Sequence, residues 1–138
     1  MMKEDCLFCK IAKGEIHSAT VYEDSHFTVI LDVNPATKGH CLIIPKEHFD
    51  NIYDLDGETA GKLFALATCI ARSMRDALKC DGLNLVQNNG EVAGQTVNHF
   101  HLHLIPRYEG DGLNLNWPQQ EISGEQLEEI RQSIKKSI

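Results

Sequence analysis

Three histidines alternate with three bulky apolar residues over residues 99–104, which read HFHLHL. In an extended strand successive side chains point to opposite faces, so His99, His101 and His103 are predicted to share one face. The chain has seven histidines in all, and three of them at period two indicate a site. Three interpretations follow: an ordinary half-exposed strand, a metal site, or nucleophilic catalysis on phosphorus with one imidazole as nucleophile.

A second group that can do chemistry lies near the start of the chain, where Cys6 and Cys9 form a Cys-x-x-Cys pair. A redox pair of this type usually sits in a thioredoxin-like βαβ setting, and no strand pattern precedes this one. The pair therefore favours half of a zinc site. Cys41, Cys69 and Cys80 are expected to be structural, because free cysteine usually acts as a small buried apolar residue.

Length and composition limit the class of protein. The chain has 138 residues, of which 42% are hydrophobic and 24% charged, with a net charge of −7. This length predicts a single domain over residues 1–138. The negative charge argues against nucleic acid as a partner, and no apolar run approaches the roughly 20 residues of a membrane span. Without a signal-peptide pattern after Met1, a cytoplasmic location is expected.

The elements that must position these residues follow from periodicity and turn chemistry. A short helical turn is predicted at 8–13, and a hairpin of strands at 20–23 and 27–32 turns at Asp24 and Ser25. Further strands are predicted at 40–45 and 82–88, with a flexible loop from Asn89 to Gly94 before the histidine strand. Asp56 should cap a helix running to about Leu78, and Ser123 a terminal helix. The order predicts an α+β fold with a mostly antiparallel sheet, one long helix packed on it and a C-terminal helix.

The histidine stretch resembles the histidine-triad (HIT) pattern, in which three histidines alternate with apolar residues. The resemblance covers nearly the whole chain, with matching segments at 29–32, 39–46 and 94–97 and matching residues Phe8, Ile11 and Asn88. It is closest to the bacterial, Hint-type branch. The resemblance implies a single domain with a HIT-like fold, a homodimer, and hydrolysis of nucleotide conjugates such as phosphoramidates. The partner it implies is a purine nucleotide or nucleotide conjugate.

The resemblance also implies roles for particular residues. His101 would attack the α-phosphorus and form a nucleotidyl-histidine intermediate, and His103 would donate to a phosphate oxygen. His40 would support the nucleophile or the phosphate. Asp32 would accept from the ribose hydroxyls. Asn88, Gln95 and Thr96 would face the phosphate or leaving group. The residues implied to line the base pocket are Leu7, Phe8, Ile11, Leu31 and Val33. Histidine at the third triad position favours water over a sugar phosphate as acceptor.

Several bacterial members that this chain resembles carry one structural zinc per chain. The matching ligands here are Cys6, Cys9, His48 and His99, a closed set of two thiolates and two imidazoles with no open position. On this interpretation no catalytic metal is expected, and His99 anchors the strand while His101 and His103 do the chemistry.

Three alternatives remain at the level of sequence. The segment Gln95-Thr96-Val97 also resembles the Fhit-like branch, which would make the chain a dinucleoside polyphosphate hydrolase. The chain can instead be a zinc-stabilised nucleotide-binding module with vestigial activity. A third alternative places a catalytic zinc in the histidine row itself. His17 and His26 belong to no motif and are expected at the surface.

Overall fold

Five strands form one antiparallel sheet in the order β1-β2-β3-β5-β4. The computed structural model describes residues 3–138. The strands are β1 (Thr20–Glu23), β2 (Phe27–Leu31), β3 (Cys41–Pro45), β4 (Gly82–Val86) and β5 (Leu102–Arg107). The helices are α1 (Leu7–Ala12), α2 (Gly57–Leu78) and α3 (Gly124–Ser137), with a 3₁₀ turn at Glu91–Ala93. The predicted α+β fold is confirmed.

Local side-chain hydrogen bonds explain where these elements begin. The carboxylate of Asp24 accepts the backbone N–H of Phe27 at 2.8 Å and so closes the β1–β2 hairpin. Asp56 caps α2 by accepting the N–H of Thr59 at 2.9 Å. Ser123 forms the predicted capping box of α3 with Gln126.

The two faces of the sheet carry different partners. One face packs on α2, whose Leu63, Ala67 and Met74 are buried in the main core. The strand residues of that core are Phe27, Val29, Cys41, Ile43, Leu102 and Leu104, and Phe100 joins them from the segment before β5. The other face packs on α1, where Phe8 contacts a smaller cluster with Ile30, Leu42 and Ile44. Full burial of one such side chain stabilises the fold by about 1.5–3 kcal/mol.

The histidine row differs from the prediction, because β5 begins at Leu102 and contains only His103 of the three. Phe100 donates its backbone N–H to the carbonyl of Phe49 at 2.6 Å, and the ladder with β3 stops at Leu102. The side chains still alternate: Phe100 enters the core, while His99 and His101 lie on the opposite side and are buried. The predicted alternation of side chains is confirmed, but the prediction that all three histidines lie on one regular strand is wrong.

Smaller differences concern the ends of elements and one cysteine. β4 ends at Val86 instead of continuing to residue 88, and the loop expected to be flexible contains the 3₁₀ turn. Cys69 was expected to be buried but is exposed, whereas Cys41 is buried in the core. Cys69 does not belong to the apolar stripe of α2. Among residues 3–138 no helix combines the length and apolarity needed to cross a bilayer.

Candidate active site and metal centre

Three imidazoles converge where β3 and β5 pair. His103 lies within β5, opposite Leu42 of β3, and His40 and His101 immediately precede these two strands. The ring centroids of His101 and His103 are 4.9 Å apart, and those of His40 and His103 are 5.1 Å apart. The antiparallel register therefore brings His40, which is distant in sequence, beside the histidine row.

The tautomer of His40 is fixed by a backbone donor. Ala36 donates its N–H to Nδ1 of His40 at 3.0 Å, so a neutral His40 carries its proton on Nε2. Nε2–H then donates to Nδ1 of His103, 2.9 Å away. A neutral His103 consequently carries its proton on Nε2, which can donate to a ligand. Ala36, His40 and His103 thus form a polarised chain of hydrogen bonds.

The tautomer of His101 is fixed in the opposite sense. Its Nδ1 lies 2.7 Å from the backbone carbonyl oxygen of His99, and a carbonyl can only accept. The proton of a neutral His101 is therefore on Nδ1, and the lone pair is on Nε2. The ring of Phe8 packs edge-on against this imidazole, with a centroid distance of 4.9 Å and an interplanar angle of 83°.

Burial keeps all three imidazoles neutral. Loss of hydration, with a smaller contribution from nearby His101 and His40, lowers the pKa of His103 to about 4. Desolvation also lowers the pKa of His101 and of His40, although the Asp32 carboxylate opposes the effect at both. Near pH 7 the Nε2 lone pair of His101 is therefore free for nucleophilic attack without a base to remove a proton.

Asp32 lies at the edge of this histidine group. One carboxylate oxygen is 3.8 Å from Nε2 of His40, and the other accepts the N–H of Asn34 at 2.9 Å. The side chain is 20% exposed, so it can still accept from a ligand. Asp32, His40 and His103 also offer three donor atoms within 4.8 Å of one another. A metal there would require His40 to move its proton to Nδ1, against the N–H of Ala36, so this trio is poorly suited to a metal.

The structure brings only part of the predicted base pocket together. Phe8 is buried against the histidines, and Ile11 packs on the same small cluster. Leu31 lies on the opposite face of β2, in an apolar groove beside α2. The side chain of Val33 is 84% exposed, and Leu7 borders a groove shared with Cys6 and Thr96.

Ile30 was missed by sequence reasoning. It is buried beside Phe8 on the histidine side of the sheet. The signal was available, because Ile30 lies two residues before Asp32 and shares its face in a period-two strand. Leu31, one residue out of phase, faces α2.

The loop before the histidines holds the predicted phosphate-side residues. Thr96 is exposed, and Asn88 is half-buried with its amide 3.5 Å from the carbonyl oxygen of Gly94. Gln95 has both ends engaged. Its Oε1 accepts the N–H of Gly90 at 2.8 Å, and its Nε2 donates to the carbonyls of Asp50 and Val97 at 2.6 and 3.0 Å. Gln95 therefore shapes the loop, and it has no free amide group to offer a ligand.

Four side chains that could together hold a metal ion meet beside the three imidazoles, and they are called the metal cluster below: Cys6, Cys9, His48 and His99. The Sγ atoms of Cys6 and Cys9 lie 3.3 and 3.5 Å from Nδ1 of His99, and Sγ of Cys9 lies 3.4 Å from Nδ1 of His48. Helix α1 places the two cysteines one turn apart, and the turn before β5 inserts His99 between them. All four donor atoms lie within 4.8 Å of one another.

The outer nitrogens of the two imidazoles orient this cluster for a metal. Nε2 of His48 donates to the carboxylate of Asp50 at 2.7 Å, and Nε2 of His99 donates to the carbonyl of Pro45 at 2.8 Å. Both Nδ1 atoms therefore present lone pairs to the sulfurs, as metal-binding histidines do. Burial raises the pKa of the Cys9 thiol, so its thiolate requires a cation. Two soft sulfurs and two imidazoles fit zinc.

Comparisons with known proteins agree with this fold and site. A family model described as the HIT domain matches residues 13–110. The crystal structure of a HIT-family member from Bacillus subtilis superposes with a TM-score of 0.92 and is 46% identical, covering 98% of both chains. The chain belongs to the HIT family.

Two further relatives are informative. The Saccharomyces cerevisiae protein named adenosine 5'-monophosphoramidase HNT1 is 40% identical over 130 residues, which are 94% of this chain and 80% of that protein. A Zn-bound histidine triad protein from Mycobacterium smegmatis is 39% identical, with a TM-score of 0.76, covering 97% of this chain and 98% of that chain. The single domain predicted over residues 1–138 and the cytoplasmic location remain predictions.

Proposed function

We propose that the chain is a nucleotide hydrolase that cleaves phosphoramidates and related conjugates of AMP at the α-phosphorus, through a nucleotidyl-histidine intermediate on His101. The observation that carries the proposal is the fixed tautomer of His101, whose Nδ1 donates to the carbonyl of His99 at 2.7 Å. Its Nε2 lone pair is thereby available to phosphorus. The name of the yeast relative HNT1 supports adenosine phosphoramidates as the substrate class.

The reaction divides into two displacements. His101 Nε2 attacks the α-phosphorus, the N–P bond to His101 forms, and the bond to the leaving amine breaks with its electron pair. The amine takes up a proton from solvent. Water then attacks the nucleotidyl-His101 phosphorus, the bond to Nε2 breaks, AMP leaves, and the proton of the water is released to solvent. One difficult displacement is thus replaced by two easier ones.

The neighbouring histidines stabilise charge in both displacements. His103 donates its Nε2–H to a non-bridging phosphate oxygen, and it can do so because His40 occupies its Nδ1 at 2.9 Å. Such a preorganised donor is worth more in a buried site than in water. After attack, the positive charge on the His101 ring is stabilised through its hydrogen bond to the carbonyl of His99. The role of His40 is therefore support of His103, with no contact to the nucleophile required.

Ligand placement follows from the same face of the sheet. Asp32 accepts from the ribose hydroxyls, and Thr96 donates to the phosphate. The base packs against Phe8, whose ring contacts His101, and against Ile11 and Ile30 of the same small apolar cluster. Leu31 faces α2 and is left out of this proposed pocket, whereas exposed Val33 stays a candidate for contact with the base.

The deciding experiment compares His101→Ala with His17→Ala in AMP release from an adenosine phosphoramidate. His17 is exposed and lies outside the site, so its variant controls for loss of an imidazole. We expect His101→Ala to abolish turnover, to retain nucleotide binding and to form no acid-labile protein-bound nucleotide. Wild-type kcat in His101→Ala would refute the mechanism.

The same assay separates the sequence-level alternatives. A dinucleoside polyphosphate hydrolase would show a higher kcat/KM for dinucleoside polyphosphates than for phosphoramidates. A binding module would bind AMP without turning over either substrate. The phosphoramidase proposal requires the phosphoramidate to be the better substrate.

We further propose that Cys6, Cys9, His48 and His99 hold one zinc ion per chain. When bound, zinc supplies a structural cross-link between α1 and the segments before β5 and after β3. Support comes from the converging donors and from the Zn-bound mycobacterial relative. Metal analysis should give about one zinc per chain, as expected for a closed four-ligand site. Zinc that stays at about one per chain when Cys6 and Cys9 are both replaced by serine would instead favour a metal in the histidine row.

A homodimer is proposed from the apolar side of α3. Leu127, Ile130 and Ile134 are 55%, 49% and 60% exposed, and no residue of this helix is buried. An exposed apolar stripe on a capped helix is typical of an interface. Light scattering with size-exclusion chromatography should give twice the 15.5 kDa chain mass.

A further inference from the structure

The metal cluster is joined to the nucleophile through a single residue. His99 contributes Nδ1 to the metal cluster, and its own backbone carbonyl accepts the Nδ1–H of His101 at 2.7 Å. The side chain of His99 is fully buried. A shift of the backbone at His99 that follows loss of a metal ligand would therefore move the carbonyl that sets the direction of His101.

Helix α1 provides a second connection. Cys6 caps this helix and Cys9 lies within it. Between them in sequence is Phe8, whose ring packs edge-on against His99 and His101, with centroid distances of 5.9 and 4.9 Å. α1 has only six residues, and helices this short are marginal unless they are tied down. Ligation of Cys6 and Cys9 would hold Phe8 against the catalytic imidazole.

The other imidazole of the cluster is connected to the phosphate-side loop. His48 donates to the carboxylate of Asp50 at 2.7 Å. The backbone carbonyl of Asp50 accepts from Gln95 at 2.6 Å, and Gln95 in turn holds Gly90 and Val97. Thr96 lies between Gln95 and Val97. The metal cluster thus supports both the nucleophile and the loop that faces the phosphate.

We infer that metal binding by the Cys6–Cys9–His48–His99 cluster positions the groups that carry out the reaction. His99 is the positioning residue for His101, and Asp50 and Gln95 are the positioning residues for Thr96. This inference rests on the proposed function for its kinetic part and on geometry alone for its spectroscopic part. A cluster that only stabilised the fold would leave the hydrogen bond of His101 unchanged when the metal is removed from folded protein.

The first test replaces one ligand, with Cys69→Ser as the matched control on an exposed cysteine outside the cluster. In folded, zinc-depleted Cys6→Ser protein we expect kcat to fall about 10- to 100-fold, as for a misplaced reacting group, with a much smaller change in KM. The Nδ1–H resonance of His101 in nitrogen-15 NMR should lose its protected, hydrogen-bonded character. Cys69→Ser should match wild type in both measurements.

The second test does not depend on whether Cys6→Ser folds. The Asp50 side chain is 40% exposed, so Asp50→Ala should fold while weakening zinc binding about 10- to 100-fold through loss of the His48 acceptor. Zinc buffered by a chelator would be varied while zinc content, kcat and the His101 resonance are followed. We expect zinc content, kcat and the His101 resonance to change over the same range of free zinc. In Asp50→Ala protein this range should lie at a higher free zinc concentration than in wild type.

The outcomes separate this inference from the proposed function. Unchanged kcat and an unchanged His101 resonance in folded, zinc-free protein would overturn the inference and leave the hydrolase intact. Absence of turnover in zinc-loaded wild-type protein would refute the proposed function, and the His101 resonance would still decide the positioning role.

Discussion

The hydrogen bond from His40 to His103 gives the sharpest test of the polarised chain. In His40→Leu protein, Nδ1 of His103 loses the donor that lies 2.9 Å away. An unsatisfied acceptor in a desolvated site costs about 1–3 kcal/mol. If that cost falls on the transition state, in which Nε2–H of His103 must face the phosphate, kcat decreases by about 5- to 150-fold. KM should change little, because His40 does not contact the base or the ribose in the proposed complex.

The matched variant is His40→Gln. The Nε2–H of a glutamine can lie near that of the histidine, so it can donate to His103 while lacking the imidazole. AMP release from an adenosine phosphoramidate, measured at saturating substrate, should rank wild type above His40→Gln and His40→Gln above His40→Leu. Equal and severe losses in both variants would show that the imidazole acts by charge or shape. Activity of His40→Leu within twofold of wild type would refute the chain as a catalytic feature.

Three further predictions address stability and binding. Burial lowers the pKa of His103 from 6.5 to about 4. The contribution of neutral His103 to the free energy of unfolding is therefore complete above pH 6.5, and about 3 kcal/mol of it is lost as the pH falls towards 4. The Tm of His103→Gln protein should therefore decline less over this range than that of wild type, and an equal decline would contradict the assignment. Asp32→Asn should raise KM for ribonucleotide substrates about 10-fold through loss of a charged acceptor, with no change for 2',3'-dideoxy substrates; equal changes would remove Asp32 from ribose recognition. Leu104→Ala, at a fully buried core position, should lower the free energy of unfolding by about 2–5 kcal/mol in urea titration, whereas a loss comparable to that of exposed Leu85→Ala would contradict the packing.

The alternation of histidine and apolar residues was sufficient to predict which side chains face the core and which face the site. Phe100, Leu102 and Leu104 are all in the main core, even though the first of them precedes the strand. Side-chain direction follows local backbone extension, which persists where the ladder has ended. Helix caps were equally readable, because Asp56 and Ser123 act on backbone groups only three residues away.

The start of β5 was not predictable from sequence, since strand pairing depends on where a distant partner ends. Phe49, about fifty residues earlier in the chain, takes the N–H of Phe100 and moves the first two histidines out of the sheet. The role of Gln95 was hidden for the same reason. Its three hydrogen bonds join segments around residues 50, 90 and 97, which only the folded chain brings together.

The sequence by itself determined the fold class, the histidine face and the residue types that suit a nucleotide and a metal. Only the tertiary structure decided how these residues act. The direction of each imidazole depends on which nitrogen meets a backbone group, and those partners are the N–H of Ala36 and the carbonyl of His99. Periodicity fixes the face on which a side chain lies, because that is a local property of the backbone. Tautomers, pKa values and contacts between clusters depend on atoms from distant segments, and no local pattern encodes them.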